Sequence, residues 1–290
     1  MYTIIHKQII AQDIKKIDIV APAIVGRCLP GQFVMVTPMA GEQNIPMTIV
    51  ESDERRGVVS LIVHETSAPT RQLGDISIGE APFQMVGPLG RGAQIDKYGL
   101  VVCVATGIGA AQILPICRGL KKKGNKVIGI IGAKSKKVLM LEAQMRVVCD
   151  EIFIATNDGS YERKGLATQL LKELLNKYTV HRVYAIGSVD MMQAASQMTI
   201  EKGIPLRATV SPPMINGLGL CGSCRVKIDG QYRLACVDGP EFDGHLVDYQ
   251  DLSQRMNAWE SAWRDQRHPI SPKKPGLATF VKSLWGLAKK

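Results

Sequence analysis

Between residues 100 and 210 the chain repeats one pattern, an apolar β-branched run followed by a turn and an amphipathic stretch. The runs are LVVCVAT, KVIGIIGA, EIFIAT, RVYAIG and IPLRATV, and they are separated by helical spacing up to about Lys123 and over 141–148, 164–177 and 190–202. Strands buried on both faces read as unbroken apolar runs, and joining parallel strands needs a crossover long enough to hold a helix. The pattern therefore predicts a doubly wound parallel α/β sheet. It also decides where a ligand would sit, because such sheets bind in the crevice beyond the carboxyl ends of their strands.

Small polar loops occupy that edge. The first run continues into Thr106-Gly107-Ile108-Gly109-Ala110-Ala111 and then a helix that contains Pro115. Glycines let the backbone approach a phosphate, and the helix N-terminus presents unpaired N–H groups with a partial positive charge. Taken alone, a tight strand-to-helix turn needs glycine just as much. Gly132-Ala133-Lys134-Ser135, Thr156-Asn157-Asp158-Gly159-Ser160 and Gly187-Ser188 follow the next three runs, and loops of this kind at one end of a sheet point to a nucleotide cleft.

Residues 1–97 have a different texture. Short alternating or β-rich runs at 2–11, 14–20, 32–37, 47–51 and 58–64 are broken by Gly, Pro, Asp and Glu, which predicts a small antiparallel barrel. With 290 residues and 46% apolar content, about two domains are expected. The start MYTIIHKQII lacks a basic region before a long apolar core, so no secretory signal is read and the expected compartment is the cytoplasm. Residues 98–117 carry no charge, yet Gly99, Thr106, Gly107, Gly109, Gln112 and Pro115 interrupt them, so they read as strand, loop and helix rather than a membrane span.

Seven cysteines argue against a disulfide framework in such a compartment. Cys28, Cys103, Cys117 and Cys149 are scattered, whereas Cys221 and Cys224 share a Gly-rich loop, GLGLCGSC, and Cys236 follows. Thiolates on a glycine loop can converge on one centre, an iron–sulfur cluster or a zinc ion. Three reduced structural cysteines are the plainer reading. Either metal centre wants a fourth ligand, and the one nearby histidine in the sequence is His245, so counting leaves the choice open.

The formal charge of +10 raises nucleic acid as a partner. Residues 253–290, however, hold eight basic and two acidic side chains, a local +6, together with Trp259, Trp263 and Trp285. Leu277, Phe280, Val281, Leu284 and Leu287 or Ala288 recur at helical spacing beyond the linker HPISPKKPG. This basic, Trp-rich tail suits docking on a partner subunit in preference to a membrane surface. No base-reading module accompanies the charge, so nucleic acid is not expected.

The segments CGSCRVKIDGQYRLACVDGPEFDGHLVD, VCVATGIGAAQILPI, VIGIIGAKSKKVLMLEAQMRVVCDEIFIATNDGSYERKG and PGQFVMV with IPMTIVESD resemble the ferredoxin–NADP reductase superfamily over residues 1 to about 250. Within it the chain is most similar to the small subunits of electron-bifurcating NADH-dependent ferredoxin:NADP oxidoreductases, and more distantly to the electron-transfer subunits of dihydroorotate dehydrogenase. The resemblance implies an FAD-binding barrel at 1–97, an NAD-binding domain at 98–210 and a two-iron two-sulfur (2Fe-2S) segment at 211–252; the docking tail at 253–290 lies outside it. Electrons would pass between NAD(H) and a larger flavin and iron–sulfur subunit. A docking or relay subunit that kept the fold without the chemistry is the alternative, as is a dihydroorotate dehydrogenase electron-transfer subunit.

Carried over by position, the resemblance gives Pro46, Met47, Thr48 and Ile49 to the flavin, with the Thr48 hydroxyl at its N5/O4 edge as the catalytic contact. His64, Thr66, Ser67 and Thr70 correspond to the ribityl and pyrophosphate segment, where Ser67 and Pro69 depart from the family's Gly-x-Thr-Thr-like turn. Gly87-Pro88-Leu89-Gly90 matches a turn before the nucleotide domain. Gly107, Gly109, Ala110 and Ala111 match the dinucleotide loop, with Gly132, Ala133, Asn157, Asp158 and Gly187 on the same edge, and Asp238 opens the stretch returning to the flavin. Cys221, Cys224 and Cys236 would hold the cluster. Where relatives place a fourth ligand, Cys or Asp, five residues before the cysteine pair, this chain has Asn216. Asn216 through its oxygen, Asp238 or water are the substitutes, and a labile or absent cluster is the remaining outcome.

Overall fold

A computed structural model describes residues 2–265, with side chains described as far as Ser261. One compact unit runs to Ser253 and another begins at Gln254. The tail helix expected at 277–288, and the roles expected for Trp263 and Trp285, lie outside the described side chains.

The N-terminal alternation folds as an antiparallel sheet of β1 (Thr3–Ala11), β2 (Ile14–Val20), β3 (Phe33–Thr37), β4 (Ile45–Asp53), β5 (Val58–His64) and β6 (Gln84–Leu89), with short α1 (Pro22–Val25) and α2 (Ala68–Asp75) inserted. Its order is β1-β2-β5-β4-β3-β6. Ile4, Ile17, Ile19, Val34, Val36, Leu61 and Val63 are buried in one core, and on β3 and β5 the alternate residues are buried as well, against the opposite face.

Two elements here differ from expectation. Gly87-Pro88-Leu89, read as part of a turn, lies in β6, with a cis bond between Gly87 and Pro88. Residues 67–70, read as a turn, start α2. The Ser67 hydroxyl accepts from the Thr70 N–H at 3.4 Å while the Thr70 hydroxyl accepts from the Ser67 N–H at 3.0 Å, a reciprocal cap. Pro69 falls in the first turn, where a missing N–H costs the helix no bond.

The second half forms β7 (Leu100–Thr106), α3 (Gly109–Lys122), β8 (Lys126–Ala133), α4 (Glu142–Val148), β9 (Glu151–Thr156), β10 (Arg163–Lys164), α5 (Ala167–Lys177), β11 (Arg182–Ile186), α6 (Val189–Ile200) and β12 (Leu206–Thr209). The uncharged stretch 98–117 is β7, its loop and the first half of α3. Among the described residues no helix is long and apolar enough to cross a membrane. Strands β9-β8-β7-β11-β12 run parallel, extended at one edge by β10 and at the other by β15 (Glu241–Asp243), which is antiparallel to β12. The helix expected from residue 164 starts later, at Ala167, because Glu162 and Gly165 both take positive φ, which breaks the helical path and leaves 163–164 to pair with β9.

Between β12 and β15 the chain makes a hairpin of β13 (Arg225–Ile228) and β14 (Gln231–Leu234), and after β15 it enters α7 (Tyr249–Asp265). The core under α3 takes Ile14, Val50 and Ile62 from the barrel sheet together with Ala111, Leu114 and Cys117 from the helix. Arg118 of α3 reinforces that junction, donating to Glu51 of β4 at 2.6 Å and to the Val50 carbonyl at 3.4 Å. Barrel and sheet are thereby held in one fixed relation, and the space between them is a formed cleft.

Candidate functional site

That cleft, of about 240 Å³, is bounded by β4 and the end of β5 on one side and by the start of α3 on the other. Alternation on β4 turns Pro46 and Thr48 outward, while Met47 and Ile49 are buried in the barrel core, Met47 still reaching the edge of the cleft. Pro46, Met47, Thr48, His64, Thr70 and Ala111 of the expected residues border the cleft. Ile49 does not, since its side chain is committed to the core. Thr66 is exposed beyond β5, its N–H donating to the His64 carbonyl at 2.8 Å, and Ser67 is occupied in capping α2.

The far wall of the cleft was missed from sequence. Thr209, Val210, Ser211, Pro212 and Met214 line it as the chain leaves β12, and Gln112 of α3 donates to the Ser211 hydroxyl at 3.3 Å. The signal was present, since this segment leaves the carboxyl end of a parallel strand like the loops that were recognised.

Those loops are bound to one another. The Gly107 N–H donates to the Gly132 carbonyl at 3.1 Å, the Ser188 N–H to the Thr106 hydroxyl at 3.2 Å, and the Asn157 N–H to the Ala133 carbonyl at 3.0 Å. Gly109 is required by packing as well as by ligand access: a Cβ there would stand 2.4 Å from the Ile186 carbonyl oxygen. Gly107, with φ of +55°, has open space where a Cβ would be. Asp158 accepts from the hydroxyl and N–H of Ser160, at 2.6 and 2.9 Å, and these bonds hold its carboxyl below the usual carboxylate range. Gly107, Gly109, Ala110, Gly132, Ala133, Asn157, Asp158 and Gly187 thus sit on one edge with the first turn of α3, an arrangement suited to a dinucleotide.

The cysteine segment forms a second centre. Cys224 and Cys236 are buried with their sulfurs 3.2 Å apart, and Cys221 is exposed, its sulfur 3.2 Å from the Ser223 hydroxyl. Bonds from the Ser223 hydroxyl and N–H, with the N–H groups of Asn216 and Ile215, hold the Cys221 thiol below its usual pKa, whereas burial and then the neighbouring Cys224 push Cys236 up. N–H groups aimed at sulfur are what an anionic thiolate centre requires. Among the described residues, no three His, Cys, Asp or Glu side chains close into a metal-holding group as they stand. The donor chemistry, three thiols with backbone N–H groups around them, fits a thiolate-held cluster. Asp238 belongs to this segment rather than to the cleft: it accepts from the Leu234 N–H at 2.9 Å and faces Arg91 at 3.7 Å, while its neighbour Pro240 reaches the cleft.

Comparison with known proteins bears on the cysteine segment and on the fold. Residues 212–248 match the model of the iron–sulfur cluster binding domain of dihydroorotate dehydrogenase B. The chain is 34% identical over 270 residues to an uncharacterised protein in the adh 3′ region of Clostridium beijerinckii, covering 90% of this chain and 91% of that one. It is 33% identical over 253 residues to a dihydroorotate dehydrogenase B (NAD(+)) electron transfer subunit homolog of Thermotoga maritima, covering 87% and 89%. Among solved structures, a chain of the NADH-dependent reduced ferredoxin–NADP oxidoreductase superposes with a TM-score of 0.85 at 30% identity, covering 90% of this chain and 94% of that chain. Phthalate dioxygenase reductase shares the fold at a TM-score of 0.57 and 17% identity.

Proposed function

Because the chain belongs to the ferredoxin–NADP reductase superfamily, among the electron-transfer subunits and homologues of dihydroorotate dehydrogenase B, we propose that it accepts electrons from NAD(H) and passes them to a larger flavin and iron–sulfur subunit. The observation that carries this reading is the cleft itself, which sets the outward face of β4 against the first turn of α3. Pro46 and Thr48 would hold FAD from the barrel side, the Thr48 hydroxyl orienting the ring, and the apolar wall of Val50, Ile62, Val210 and Pro212 would exclude water. Gly107 and Gly109 would admit the pyrophosphate of NAD(H) to the α3 N-terminus. Cys221, Cys224 and Cys236 would hold the 2Fe-2S cluster. A bound flavin supplies the conversion between hydride pairs and single electrons. On this reading residues 1–97, 98–210 and 211–252 bind flavin, dinucleotide and cluster in turn.

A ferredoxin- and NADP-linked partner, with bifurcation, is the first expectation, from the 30% identical structure. A dihydroorotate dehydrogenase partner is the second, favoured by the match over residues 212–248. The test is to purify the chain anaerobically with whatever co-purifies, quantify flavin and iron, and add NADH. Stoichiometric flavin bleached by NADH is expected; a tight complex without flavin would sink the proposal and leave a docking subunit. Orotate-linked activity of the complex would select the second partner.

A further inference from the structure

We propose that the cysteine segment leaves one iron position of its cluster without a protein ligand, so that solvent occupies it and a small anionic donor such as a thiolate can replace that solvent. This rests on the reading that Cys221, Cys224 and Cys236 hold a two-iron cluster, whose irons together take four protein bonds. The three thiolates supply three of them.

The other candidate donors, Asn216, Asp238, His245 and Ser223, are each engaged elsewhere. The Asn216 side-chain oxygen accepts from the Leu218 N–H at 3.0 Å, closing the turn that Gly217 makes with φ of +72°. Turning that oxygen toward a metal would cost this bond and yield only a neutral amide donor, far weaker for iron than thiolate or carboxylate. Asp238 ties Leu234 at 2.9 Å and faces Arg91 at 3.7 Å. The His245 Nε2 shares a hydrogen bond with the Thr199 hydroxyl at 2.9 Å. The Ser223 hydroxyl accepts from the Ile215 N–H at 3.2 Å and contacts the Cys221 sulfur.

Solvent access points the same way. Leu220 is 81% exposed and Leu218 is 50% exposed, so the loop that carries Cys221 has no side chain of its own shielding it from water and small solutes. The exchange is a ligand substitution: water leaves the iron, the incoming thiol binds as thiolate, its proton goes to solvent, and no iron changes oxidation state.

The test uses the full chain reconstituted anaerobically with isotopically enriched iron and sulfide. Mössbauer spectra, and paramagnetic resonance of the reduced sample, are recorded with and without 2-mercaptoethanol. One of the two iron sites is expected to shift on adding the thiol, in the wild type and in Asn216→Ala. Asn216→Cys is expected to show the shifted spectrum without added thiol and to respond to none. A fully assembled wild-type cluster that ignores the thiol overturns the inference while leaving the electron-transfer reading intact. A chain that takes up no iron overturns both. Should Asn216→Cys fail to fold, the wild type and Asn216→Ala still decide the matter.

Discussion

Gly109→Ala tests whether the dinucleotide edge is built as described. The added methyl would lie 2.4 Å from the Ile186 carbonyl oxygen and 2.9 Å from its carbon, both backbone atoms at the end of the interior strand β11. Ordinary contact begins near 3.4 Å, so the start of α3 must retreat by about 1 Å. Overpacking of this kind costs about 1–3 kcal/mol, against which the better helix propensity of alanine returns at most about 1 kcal/mol. For a unit of this size each kcal/mol moves Tm by about 2–4 °C, so a fall of roughly 2–8 °C is expected by calorimetry. Displacing the α3 N-terminus should also slow flavin reduction by NADH, by about 10- to 100-fold in rapid mixing, because a shift of this size spoils hydride geometry. Gly107→Ala is the control. Its Cβ meets nothing within 4 Å, so only the left-handed φ of +55° is penalised, about 1–2 kcal/mol, with no retreat of α3 and a smaller loss of rate. A Gly109→Ala protein with unchanged Tm and unchanged reduction rate would refute the packing argument.

Thr48→Ala removes the one hydroxyl that β4 presents to the cleft, and a shifted flavin spectrum and potential, at a rate cost of about tenfold, is expected from spectroelectrochemistry and rapid mixing. Ser67→Ala breaks the reciprocal cap of α2 and should lower stability by about 1 kcal/mol in urea titration, with weaker flavin retention, since Thr70 borders the cleft. Burial raises the Glu51 carboxyl, but Lys16 and Arg118 outweigh it and hold the pKa below the usual value. The stability this contributes is complete above the unfolded carboxylate pKa of about 4.3 and disappears as pH falls through the lower folded value. Arg118→Ala should therefore cost about 1 kcal/mol at neutral pH and flatten the acid side of the stability profile; identical acid limbs in the two proteins would count against the pair.

Much of the fold follows from periodicity. The five apolar runs became the parallel strands at nearly the expected places because a doubly buried strand has one chemical requirement along its whole length. The glycine loops share one edge because parallel strands all end on the same side. Antiparallel β6 and helix α2 were not legible in the same way: Gly87-Pro88-Leu89 and Ser67-Ala68-Pro69-Thr70 carry turn-forming residues, and only the neighbours, β3 for the one and the Ser67–Thr70 cap for the other, choose strand and helix.

By itself, the sequence determined the residue types available to each centre: hydroxyl and proline on β4, glycines at the sheet edge, a cysteine pair on a glycine-rich loop with a third cysteine after it, and an amide at Asn216. Which of them meet was a tertiary decision. Alternation against the barrel core turned Thr48 to the cleft and Ile49 away from it, and the α3 packing on β4 made that cleft and drew in residues 209–214. Local bonds to Leu218 and Leu234 then committed Asn216 and Asp238 to the backbone. Residue identity limits what a side chain can do, but whether it is free to do it depends on partners that are distant in sequence or set by the local turn, and those appear only when the chain is folded.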